Sequence, residues 1–139
     1  MRKRRNSETA KVKERIQALL RQIVIKRDGG CVLRIYQQSG QCGGYTESGN
    51  LVLQADHLIT RGKNIGYAEP DLVVCLCKRH HIFWKKQYGD LYWEFMEKII
   101  GPARWQKLKK AEADQKIYEM TAYDWGKTEL YLKEIKGNP

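Results

Sequence analysis

Asp71-Leu72-Val73-Val74-Cys75-Leu76-Cys77-Lys78-Arg79-His80-His81 carries an apolar run straight into paired histidines. A short β-branched run bounded by polar residues reads as a strand, here Leu72–Leu76. A second strand candidate, Leu51–Ala55, ends on Asp56-His57. Residues 56–70 connect the two, and a connection of that length without its own structure is often functional. After His81 the chain turns helical and aromatic, first over Ile82–Tyr88 and then over Leu91–Ile100. All 3 histidines fall between positions 57 and 81.

Residues 7–28 predict an amphipathic helix. Val12, Ile16, Leu19, Leu20, Ile23 and Val24 form its apolar stripe, with Ser7 as N-cap and Gly29-Gly30 as the stop. The basic arm Met1–Arg5 before it reads either as a contact for DNA phosphates or as a tail. Cys31–Tyr36 reads as an extended segment, followed by a Gly-rich loop returning at Cys42-Gly43-Gly44. Gly101-Pro102 should break the aromatic helix, with Pro102 starting another that runs to about Met120. A last short helix is expected over Thr128–Ile135. The stripe of Trp84, Tyr92, Trp93, Phe95 and Trp105 is read as core packing in preference to base stacking. The class is α+β in one domain, 1–139. Its parts are the arm and first helix (1–30), a central unit (31–88) and a helical extension (89–139).

Lys and Arg outnumber Asp and Glu by 26 to 16, a formal charge of +10. That excess favours a polyanionic partner, with nucleic acid ahead of a membrane surface. No apolar stretch approaches the ~20 residues that a bilayer-crossing helix needs, and the N-terminus lacks a secretory apolar segment. An intracellular, cytoplasmic setting is expected, where thiols stay reduced. The 4 cysteines then read as metal ligands or core residues and not as disulfides.

The segment order brings Asp56-His57, at a strand end, and His81, at a helix start, to one cleft. A carboxylate with a neutral imidazole suits Mg²⁺ or Mn²⁺ and leaves open positions for phosphate and water. His57, outside that pair, can then act as general base. Metal plus base is the minimum apparatus for hydrolysing a phosphodiester. Arg61, Lys63, Lys78, Arg79, Lys85 and Lys86 surround the cleft in sequence, and Arg61 is the leading candidate for the scissile phosphate.

Ala55-Asp56-His57 together with Asp71–His81 resembles the HNH endonucleases, the ββα-metal or His-Me finger group. The likeness covers roughly Arg27–Lys86. It implies a ββα-metal core with a structural zinc knuckle, flanked by the N-terminal and C-terminal helices. It implies His57 as general base, and Asp56 and His81 as ligands of the catalytic ion. The family's middle asparagine, which braces the loop, corresponds to Asp71, with Asn64 as the alternative. The family's paired Cys-x-x-Cys knuckles correspond to a widened Cys31-x10-Cys42 and to Cys77-x-x-His80, a Cys3His zinc set. Cys75 is left over as a buried apolar residue. His80 and His81 could exchange roles, but at a helix start they face about 100° apart, so each can serve a separate site.

The resemblance implies a DNA nickase or endonuclease leaving 5′-phosphate and 3′-hydroxyl ends, acting as a monomer or weak dimer. Small phage or prophage members, some associated with packaging proteins, have a similar layout. The rival reading is a noncatalytic, zinc-stabilised nucleic-acid-binding module.

Overall fold

The stripe of apolar residues four apart sets the first element. In the computed structural model, which describes residues 2–59, 64, 66–114 and 119–137, helix α1 spans Arg2–Asp28. Ile16, Leu20 and Val24 on that stripe are fully buried. The helix starts upstream of Ser7, so Arg2–Arg5 belong to its first turns and form no separate arm. Lys and Arg are good helix formers, and nothing in that run opposes the extension. The other end falls where expected. Gly29 sits at φ 69° and donates its N–H to the Ile25 carbonyl at 2.8 Å, closing the helix in the left-handed conformation that glycine adopts cheaply.

Tight 3-10 turns over Val32–Ile35 and Gln37–Ser39 replace the extended segment expected at Cys31–Tyr36. The turn buries Val32 and Leu33 side by side, and the Arg34 guanidinium donates back to the Cys31 carbonyl at 2.7 Å. Strands β1 (Leu53–His57) and β2 (Val73–Cys77) pair antiparallel, with Asp56 opposite Val74 and His57 opposite Val73. Both lie slightly downstream of the expected runs. Leu51 contributes only a single bridge to Tyr45.

Every residue of β2 is buried, because helices cover both faces of the small sheet. Val73 and Cys75 pack with Ile16, Leu20, Val24, Trp125 and Leu132. Val74 and Leu76 pack with Leu33, Trp84, Tyr92, Phe95, Met96 and Leu108. Alternate side chains of one strand thus join two cores.

Beyond β2 a π-helical turn, Arg79–Trp84, runs into α2 (Lys85–Gln87) and α3 (Gly89–Ala113). Gly101, at φ 80° and ψ 173°, interrupts α3 ahead of Pro102, as the sequence predicts. The second half stops at Ala113, short of Met120. Helix α4 (Ala122–Gly137) is longer than the expected Thr128–Ile135. It opens on a reciprocal cap: the Thr121 N–H donates to Asp124 Oδ2 at 2.9 Å and the Asp124 N–H to Thr121 Oγ1 at 3.2 Å. The Arg15–Glu129 pair, at 2.7 Å, joins α1 to α4.

The aromatic stripe is core. Trp84, Tyr92 and Phe95 are buried, Trp93 and Trp105 pack half-buried against the same cluster, and Tyr36 stacks on Phe95 at 4.3 Å. The architecture is α+β. Among the described residues, no helix is long and apolar enough to cross a membrane.

Candidate active site and metal cluster

The β2 strand delivers Cys77, and the π-helical turn delivers His80 three residues later. The Cys42-Gly43-Gly44 loop folds against that turn. The Arg79 N–H donates to the Gly43 carbonyl at 3.1 Å and the Val52 N–H to the Gly44 carbonyl at 2.8 Å. Gly44 is at φ 93°, and a Cβ there would lie 2.6 Å from Lys78 Cβ, so the close approach requires glycine. The loop brings Cys42 alongside Cys31 from the first turn.

The ligand atoms of Cys31, Cys42, Cys77 and His80 lie within 4.8 Å of one another, and the group could hold a metal such as zinc. His80 Nδ1 is 3.4 Å from Cys31 Sγ, 3.8 Å from Cys42 Sγ and 3.0 Å from Cys77 Sγ. A tetrahedral zinc with bonds of about 2.0–2.3 Å spaces its ligand atoms roughly 3.6–3.8 Å apart, so the donor set fits that ion. The other ring nitrogen, Nε2, donates to the Ser39 carbonyl at 2.9 Å. That bond turns the lone pair on Nδ1 toward the sulfurs, as outer-shell partners of metal-bound histidines do.

Burial pushes the Cys31 thiol up to about 12 and raises Cys42, while it lowers His80 and keeps that ring neutral. A metal entering this cluster must expel thiol protons, so protons and metal compete. Acidification from about pH 7.5 to about pH 5 is expected to release bound zinc. A chromogenic zinc indicator would follow the release, and retention throughout that range would rule out a thiolate-held ion.

Cys75 belongs to the other core. Residues two apart on a strand share a face, so alternation alone does not separate Cys75 from Cys77. They part because Cys77 is the last strand residue, where the chain bends into the π-helical turn. Cys75 packs beside Val73 and donates its N–H to Asp28 Oδ2 at 2.8 Å.

His81, one residue on from His80, faces a different cleft of about 360 Å³ lined by Gln17, Ala55, Asp56, His57, Ile59, His81 and Lys85. Asp56, 1% exposed, sits at its base. Its Oδ1 is 3.4 Å from His81 Nε2 and accepts from Lys85 Nζ at 2.8 Å, while Oδ2 accepts from the Tyr92 hydroxyl. Burial alone would raise this carboxyl. The His81 hydrogen bond, the Lys85 charge and the Tyr92 hydrogen bond outweigh it and hold the group below its ordinary value. Asp56 is therefore an anion in a nearly dry place. His81 Nδ1 lies 2.8 Å from Gln54 Oε1, a contact that holds the ring with Nε2 toward Asp56.

His57 Nε2 donates to the Tyr67 carbonyl at 3.1 Å, so in the neutral ring Nδ1 is the basic nitrogen. The same carbonyl accepts from Gln17 Nε2 at 2.8 Å. Helix α1 thereby helps fix the acceptor that orients His57.

Other expected site residues lie elsewhere. The Asp71 carboxylate meets Lys107 at 2.9 Å, and the Asp71 carbonyl accepts from Arg104 at 2.8 Å; the structure ties it to α3 and not to the cleft. Asn64 takes φ 61°, and its carbonyl accepts from the Tyr67 N–H at 3.2 Å. Arg79, expected to meet phosphate, donates to the Ser39 and Gln41 carbonyls at 3.0 and 2.6 Å and so braces the cysteine loop. Lys78 and Lys86 are exposed. Arg61 and Lys63 lie outside the described residues.

Gln17, Gln54 and Tyr92 are functional candidates that motif reading misses. Strand parity points to Gln54, which shares a face with Asp56. No comparable signal marks the other two. No family model, curated protein or solved structure matches the chain, so its functional reading rests on these residues.

Proposed function

We propose that the chain is a metal-dependent DNA endonuclease of the HNH type, hydrolysing one phosphodiester bond per event. The observation that carries this reading is the meeting of Asp56, His57 and His81 at one cleft, apart from the Cys3His cluster. Asp56 and His81 hold Mg²⁺ or Mn²⁺, and His57 takes the proton from the attacking water through Nδ1. The metal, when bound, stabilises charge on the phosphate and the leaving oxygen. The Cys3His cluster holds zinc and fixes the turn on which His81 stands. The formal charge of +10 favours association with DNA, and such contacts give affinity without reading sequence.

The test is supercoiled plasmid incubated with the zinc-loaded protein and Mn²⁺, Mg²⁺ or EDTA. Nicked circles are expected with a divalent ion and none with EDTA. Absence of nicking with every ion would leave the rival, a noncatalytic zinc-stabilised nucleic-acid-binding module. One observation favours that rival: Lys85 already sits on the oxygen of Asp56 that a catalytic ion would need. It leaves the oriented His57 without a task.

A further inference from the structure

Lys85 was expected to lie among the phosphate contacts, yet its ammonium lies 2.8 Å from Asp56 Oδ1, the oxygen that faces His81. It also lies 4.8 Å from the centre of the Tyr92 ring, and its side chain is 29% exposed. Asp56 is nearly dry, and a buried carboxylate requires a partner. Lys85 supplies that partner, and Tyr92 holds the second oxygen.

A divalent ion cannot share Oδ1 with an ammonium at this range without strong repulsion in a site of low dielectric. Entry of one must expel the other. The Tyr92 ring closes one side of the lysine, and the cleft that Lys85 lines leads past His81 and His57. A four-carbon stem lets the ammonium pivot there without moving its helix.

On the reading of the cleft as a nuclease site, we infer that Lys85 is an exchangeable cation. In the metal-free protein it neutralises Asp56; when Mg²⁺ or Mn²⁺ binds, it moves to the scissile phosphate and neutralises charge there. The exchange makes metal binding weaker than the ligand set alone would give and makes cleavage faster. These opposite effects separate it from a merely structural ion pair, whose loss would weaken both functions together.

The experiment uses zinc-loaded full chain as wild type, Lys85→Met, Lys85→Gln and Asp56→Asn. Mn²⁺ affinity is measured by electron paramagnetic resonance and kcat by plasmid nicking at saturating Mn²⁺. Lys85→Met is expected to bind Mn²⁺ about tenfold more tightly, because the competing cation is gone. Its kcat is expected to fall on the order of 10²-fold, because the phosphate loses a charge partner. Lys85→Gln should behave alike, and it decides the matter if Lys85→Met loses its zinc or its circular dichroism. Unchanged or weaker Mn²⁺ affinity in the folded lysine variants overturns the exchange. Wild-type kcat in those variants overturns the phosphate contact. If wild type and Asp56→Asn bind Mn²⁺ alike, Asp56 is no metal ligand, and the nuclease reading fails together with the inference.

Discussion

With the Cys3His cluster read as a zinc site, exchange of Cys77 for serine is expected to release the ion and unfold much of the protein. Cys77 is fully buried, 3.0 Å from His80 Nδ1, where β2 passes into the π-helical turn. A structural zinc site contributes about 10–16 kcal/mol of apparent binding free energy, as much as the entire stability of most domains. Loss of one ligand forfeits much of that and leaves two thiols with an unmatched hydroxyl. Zinc content by mass spectrometry should drop from about one ion per chain to near zero, and the thermal midpoint by more than about 10 °C. Cys75→Ser is the control, since Cys75 is buried in the other core. It should lose some stability by placing a hydroxyl there, at about 1–3 kcal/mol, but keep its zinc. A Cys77→Ser protein that melts where wild type does would refute the structural role of the cluster.

Replacement of His57 by alanine is expected to lower plasmid nicking about 10²–10⁴-fold, the usual contribution of a positioned general base. The comparison is clean for a structural reason. His57 is half-buried at the end of β1, apart from the Cys3His cluster, and hydrogen-bonds a carbonyl that Gln17 also holds. Metal content of that cluster should therefore barely change. Asp56→Ala would be a poorer probe. It leaves the buried Tyr92 hydroxyl without its acceptor, which costs about 1–3 kcal/mol whether or not chemistry is lost. Equal nicking by wild type and His57→Ala would exclude His57 as the base.

Much of the fold is legible in the residues because periodicity and punctuation agree. The stripe from Ile16 to Val24, the stop at Gly29 and the break at Gly101-Pro102 each have a local cause. Helix starts proved harder. Ser7 is a good cap residue, but helix-forming residues precede it, and nothing obliges the chain to begin there. Cys31–Tyr36 looks extended because of its Val, Leu and Ile, and the turns that form instead depend on burial against β2 and α3. The Cys31, Cys42, Cys77 and His80 set followed from the family resemblance, since a first gap as wide as x10 would not by itself pair Cys31 with Cys42. The brace residues could not be found that way. Asp71 and Arg79 lie near the motif in sequence, and where their side chains turn depends on Lys107 and on the Ser39 and Gln41 carbonyls. Tyr92 is invisible for the opposite reason. Its ring belongs to the core stripe, and only its hydroxyl reaches Asp56.

The π-helical turn has a consequence for which insertions and deletions the chain can tolerate. Arg79–Trp84 closes with the Lys85 N–H bonded to the His80 carbonyl, five residues back, so it holds one residue more than an α-helical turn would. Removing a residue such as Ile82, itself exposed, would let the turn wind as a regular α-helix, so the widened turn absorbs the loss and leaves Trp84 in its core and Lys85 beside Asp56. A second deletion there has no widened turn to absorb it and would rotate everything downstream by about 100°. The exposed reversal at Glu47–Gly49 has no such coupling and should accept extra residues freely. Length variation among related chains should thus concentrate in the 46–50 region, and in 77–85 should be confined to the one extra residue of the π-helical turn.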